Sequence, residues 1–108
     1  MSEVYDYFWS HARPMLEADN IDEGTLMGFP CIRVNSDFLA APEHKTGSLI
    51  VKLPKNRVQQ LIEQGIGFPF APAGKVFKEW VLIEERDDKI WKEILEEAKN
   101  FVASKKKK

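Results

Sequence analysis

One cysteine, Cys31, in a chain of 108 residues excludes an internal disulfide and agrees with a reducing compartment. Only two histidines are present, His11 and His44, far apart in sequence, and Cys31 has no second cysteine with which to form a ligand pair. No metal site and no cofactor site is expected. No apolar run approaches the ~18 residues that a membrane span requires. The string Met-Ser-Glu-Val-Tyr-Asp lacks the basic and apolar regions of a signal peptide. A cytoplasmic protein without a membrane partner is therefore expected. Neither sign of charge dominates, the net being −1, and there are no internal repeats and no interdomain linker.

What is present fits one domain over residues 1–104, followed by a lysine tail at 105–108. Apolar residues make up 44% and charged residues 31%, ordinary for a globular protein. The charge is unevenly placed: residues 1–23 carry a net −5, residues 24–83 a net +3, residues 84–104 a net −3 and the tail +4. A mildly basic middle suits an anionic partner but falls well short of a nucleic-acid footprint.

Val4, Tyr5, Phe8, Trp9, Ala12, Met15 and Leu16 recur at helical spacing. Pro14 interrupts that stripe and predicts a kink or a break. From Gly24 the period changes to two. Thr25 to Val34 and Phe38 to Ala41 read as strands around Asn35-Ser36-Asp37, with Pro30 marking an edge or a bulge. Ser48 to Leu53 is the next strand. Pro54 opens a helix that Gly65 ends. Phe68 to Lys75 reads as a proline-punctuated loop or irregular strand, and Val76 to Ile83 as the last clear strand. A long helix starts at Asp87 or Asp88, with Ile90, Trp91, Ile94, Leu95, Ala98, Phe101 and Val102 along one face. The fold expected is α+β: two layers, α-β-β-β-α-β-β-α, a five-stranded antiparallel sheet covered by helices on one face.

That order, with Glu23-Gly24-Thr25, Gly28-Phe29-Pro30, Phe38-Leu39-Ala40, Leu49 to Leu53, Gly65 to Phe70, Gly74-Lys75 and Lys78 to Val81, resembles one family. It is the family of small bacterial proteins that groups the N-terminal domain of the competence regulator TfoX with YjbR/MmcQ-like proteins. The resemblance implies an antiparallel two-layer fold akin to secretion chaperones, an intracellular bacterial setting and no established chemistry. TfoX regulates DNA-uptake genes, but its second domain has no counterpart here, so fold likeness licenses function only by association.

Alternation within Leu49 to Leu53 turns Lys52 away from the buried triplet Leu49, Val51 and Leu53. The same parity pairs Lys78 with Trp80, and Cys31 with Arg33. If they share one sheet surface, Arg33, Lys52, Lys78 and Trp80, with Lys75 at the end of the proline-rich loop, form a cationic-aromatic platform. Such a platform suits a carboxylate, a phosphate or a partner's acidic edge. The competing reading is that these lysines merely solubilise an open face. Gly65-Ile66-Gly67-Phe68-Pro69-Phe70 fails the dinucleotide fingerprint, since it follows a helix and has Phe70 at the sixth position; glycines permitting positive φ explain it better.

No catalytic set is recognisable. Ser10 and His11 diverge on a helix, and Cys31, His44 and Glu79 are isolated reactive types. The function expected is a non-catalytic binding or regulatory module for a protein or small anionic ligand, monomeric or homodimeric. A DNA-associated regulator and an uncharacterised enzyme are the alternatives, in that order.

Overall fold

The computed structural model describes residues 5–26, 29–43, 47–70, 74 and 77–105. Helix α1, Asp6–Ala12, passes directly into a 3-10 turn, Arg13–Glu17. Pro14 causes this change rather than a gap. Arg13 keeps helical backbone angles, φ −57° and ψ −44°, while the prolyl ring removes one donor to the α-helical ladder. The stripe continues across the junction, with Phe8 and Ala12 fully buried and Met15 and Leu16 packed beside them.

Strands β1, Ile21–Leu26, and β2, Phe29–Val34, pair antiparallel with Leu26 opposite Phe29. The run read from sequence as one strand, Thr25 to Val34, is thus two, and the sheet has six strands rather than five. Pro30 lies beyond the part of β2 that pairs with the next strand, so its missing N–H costs nothing there. A bulge does occur in that pairing, between Ile32 and Arg33. Asn35 and Ser36, at φ 52° and 72°, make the two-residue turn into β3, Asp37–Pro42. Both central residues are left-handed, as a tight hairpin of this twist requires.

Strand β4, Leu49–Lys52, leads through Pro54 into helix α2, Lys55–Glu63. Gly65, at φ +76°, ends that helix. Strand β5 is only Phe68–Phe70, the loop expected from sequence having one short paired piece, and β6 is Phe77–Ile83. The sheet order is β1-β2-β3-β4-β6-β5, antiparallel throughout. Helix α3, Asp88–Lys105, closes the fold, its first turn capped where the Ile90 amide donates to Asp87 Oδ1 at 3.1 Å.

One buried cluster joins the layers. Phe8, Leu61, Trp91, Ile94, Ala98 and Val102 of the helices meet Ile32, Val34, Ala40, Val51, Val81 and Ile83 of the sheet. The register therefore turns Arg33, Phe38, Ile50, Lys52, Trp80 and Leu82 to the other face. That face is not uniformly wet: Cys31, Ala41 and Ile50 on it are buried. Among the described residues, no helix is long and apolar enough to cross a membrane.

Candidate functional site

The sheet brings Arg33 and Lys52 to one face, but each already has an anionic neighbour. Arg33 stands opposite Asp22 in register and donates from Nη2 to Asp22 Oδ2 at 2.8 Å. Its side chain lies flat over Gly24, where an added Cβ would sit 2.6 Å from Nε. Among the described residues that buried Nε has no hydrogen-bond acceptor. Lys52 Nζ lies 4.0 Å from Glu79 Oε1, so Glu79 acts as a charge partner and not as an isolated acid.

Between these cations the face is aromatic. Trp80 stacks on Phe38 with centroids 4.3 Å apart and planes within 10°, and on Phe70 at 5.4 Å and 18°. Phe38 faces Arg33 across the β2–β3 pair, and Trp80 faces Lys52 across β4–β6. Arg33, Lys52 and Trp80 thus share one surface. Lys75 and His44 lie outside the described residues.

Lys78 belongs to a different feature. The register of β5 on β6 slips between Pro69 and Phe70, so Phe70 faces Phe77 while Pro69 faces Val81. The stretch Lys78-Glu79-Trp80 crosses that irregularity next to α2. A recess of about 350 Å³ opens there, with Lys55, Val58 and Ile62 of α2 on one wall and Pro69, Lys78 and Trp80 on the other. Val58 is buried, Ile62 half-buried, and Lys55 and Lys78 are exposed. Neither lysine has an ion-pair partner among the described residues. Lys55 was not legible as a site residue, because a lysine opening a helix reads as ordinary solvated charge.

The glycine string serves this geometry and not a nucleotide. Gly65 supplies the positive φ expected of it. Gly67 instead permits close approach: a Cβ there would meet Val81 Cγ2 at 2.5 Å. The amides of Ile66 and Gly67 both donate to the Leu61 carbonyl at 3.0 Å, which ties the end of α2 to the start of β5.

A second polar cluster joins α1 to α3. The Tyr7 hydroxyl donates to Asp88 Oδ1, and His11 Nε2 lies 3.0 Å from the same oxygen. Trp91 packs edge-on against Tyr7 at 4.7 Å, and the Arg86 guanidinium sits 5.4 Å from the Tyr7 ring centroid. Burial, reinforced by Asp88, pushes the Tyr7 phenol up to about 12. The hydrogen bonds from Tyr7 and then His11 hold the Asp88 carboxyl below its ordinary range. With its charges matched and its rings packed, the cluster acts as a dock between helices.

Cys31 is buried, and burial pushes its thiol up, the opposite of an activated nucleophile. Among the described residues, no three His, Cys, Asp or Glu side chains group into a metal site. The two large apolar side chains most exposed there, Phe29 and Phe68, lie on β2 and β5, separated by β3, β4 and β6. They do not merge into one patch. No family model, no curated protein and no solved structure matches the chain.

Proposed function

We propose that the chain is a non-catalytic binding module that recognises an anionic partner at the Trp80 end of its sheet. One observation carries this reading: the stack Phe38–Trp80–Phe70 runs into a recess whose rim holds Lys55 and Lys78, two cations with no ion-pair partner among the described residues. Aromatic faces supply rigid contact area, and unpaired ammonium groups supply attraction for an anion without first having to release an internal acid. Arg33 and Lys52 contribute less, since Asp22 and Glu79 already offset them.

The resemblance to the TfoX N-terminal and YjbR-like proteins supports a regulatory setting in a bacterial cytoplasm, and the lone cysteine agrees with a reducing compartment. Cys31, with its raised pKa, offers no nucleophile. Net charges of −5 over residues 1–23 and −3 over residues 84–104 oppose a duplex-DNA partner.

The test is capture from one cell extract by wild-type chain and by Lys55→Glu/Lys78→Glu at equal loading, with bound proteins and small molecules both identified by mass spectrometry. At least one species should be held by the wild type and lost by the variant, with thermal unfolding unchanged. Identical retention by both chains would remove this surface as the recognition element.

A further inference from the structure

The two walls of the recess, and the absence of an acid among their described residues, specify a ligand more narrowly than "an anion". Val58, Ile62, Pro69 and Trp80 give it an apolar floor. Among the described residues its only ionisable liners are Lys55 and Lys78. Gln59, the remaining liner, gives its amide nitrogen to Glu63 Oε2 at 3.3 Å, and the two ammonium groups are the charged donors of the described lining.

The start of α2 adds charge of the same sign. Pro54 precedes the helix without a side-chain cap hydrogen bond, and the first turn contains no acid. The Val58 amide is the first to find an intrahelical acceptor, the Pro54 carbonyl, at 2.9 Å. Among the described residues no side-chain cap and no first-turn acid offsets the amides before it or the positive end of the helix dipole, next to which Lys55 stands. A carboxylate there complements a lysine and a helix terminus together.

Size and floor chemistry narrow the choice further. A volume of about 350 Å³ lies at the small end of ligand pockets, which run from roughly 300 to 1,000 Å³. That suits one small molecule and excludes a partner's helix. A phosphate dianion would need more donors than an apolar floor offers, and a bidentate arginine fork suits it better. A singly charged acid leaves its hydrocarbon part to cover Val58 and Ile62.

We propose that this recess binds a small amphipathic monocarboxylate, an aliphatic or aryl acid. Its apolar body lies between Trp80 and the Val58–Ile62 stripe of α2, and its carboxylate meets Lys55 and Lys78. This rests on the reading of the Trp80 end as a recognition surface and gives that surface its ligand class.

The probes are octanoate, octanol as its neutral counterpart, and octylamine, each titrated below its aggregation concentration into the full-length, isotope-labelled chain. Octanoate should saturably shift the Trp80 indole and the amides from Lys55 to Val58. Octanol should bind about tenfold more weakly, and octylamine weaker still. Lys55→Glu/Lys78→Glu should weaken octanoate by about tenfold or more while leaving octanol unchanged. Lys92→Glu, on α3, should alter neither. Equal affinity for octanoate and octanol, or octanoate shifts centred elsewhere, would overturn the proposal. If octanoate produces no saturable shift but the double variant still loses a captured species, the ligand class falls and the recognition surface stands. If capture is unchanged as well, both fall.

Discussion

Gly67 tests whether α2 and β6 meet as closely as the recess requires. A methyl group at this position would lie 2.5 Å from Val81 Cγ2 and 3.3 Å from both Ile83 Cδ1 and Leu61 Cβ. Val81 cannot swing aside cheaply: it is fully buried in the middle of the sheet, and its β-branched side chain is stiff at χ1. Forcing extra volume into such a site costs about 1–3 kcal/mol. Loss of the glycine's freedom in the unfolded chain returns about 0.4–1 kcal/mol. Gly67→Ala should therefore destabilise by about 1–2 kcal/mol, a fall in Tm of about 4–8 °C for a domain of this size. Urea and thermal unfolding, followed by far-UV circular dichroism, measure it directly. Gly65→Ala is the control, because no atom lies within 4 Å of its would-be Cβ and only its φ of +76° is at issue. Val81→Ala should recover part of the Gly67→Ala loss, with a coupling of about 0.5 kcal/mol or more. A Gly67→Ala chain as stable as wild type, with costs that simply add in the double variant, would show that helix and strand do not touch there.

The Tyr7–Asp88 contact predicts loss of stability at both extremes of pH. Asp88 has a lowered folded pKa, so its contribution is complete above its ordinary value of 3.8 and is lost as pH falls through the lower folded value. Tyr7 has a raised folded pKa, so its contribution is complete below 10.0 and is lost as pH rises toward about 12. Tyr7→Phe should flatten the acid decline of the urea midpoint and abolish the late step in tyrosinate absorbance; an unchanged acid profile would contradict the contact. Arg57 grips Glu97 from α2 to α3 with two bonds, Nε at 2.8 Å and Nη2 at 3.1 Å. Arg57→Lys keeps the charge but loses the fork, and should cost about 0.5–1 kcal/mol in urea unfolding at low salt. No measurable change would mean the pair is merely solvated.

Helices were legible because their periodicity has no competitor. Trp91, Ile94, Leu95, Ala98 and Val102 form the buried stripe that their spacing announces. Strand β1 was illegible for the converse reason. As the terminal strand of the sheet it buries Ile21 while Asp22, Glu23 and Thr25 stay exposed, so no apolar alternation marks it. Strand β5 is three residues around a proline and gives still less signal. Parity turned Lys52 away from Leu49, Val51 and Leu53, a local property of extended chain, but only the β4–β6 register puts Trp80 on the same face. It could not reveal that Tyr7 and His11 meet Asp88, residues from opposite ends of the sequence.

Pairing explains why the proposed site lies at the edge of the platform and not in its middle. Where the sheet is regular, a charged side chain meets its cross-strand neighbour, as Arg33 meets Asp22 at the register position opposite it. Lys52, whose register partner on β6 is Trp80, has its ammonium 4.0 Å from the carboxylate of the adjacent residue, Glu79. Such pairs are worth little to stability at an exposed face, yet they remove the charge an incoming anion would feel. Where β5 slips against β6, the ladder no longer assigns each side chain a neighbour, and Lys78 is left over. Pro54 starts α2 at the same end without a capping acid, which leaves Lys55 over as well. On the proposed reading, recognition is concentrated where strand pairing fails, and extending the β5–β6 register should weaken octanoate binding before it costs the protein its fold.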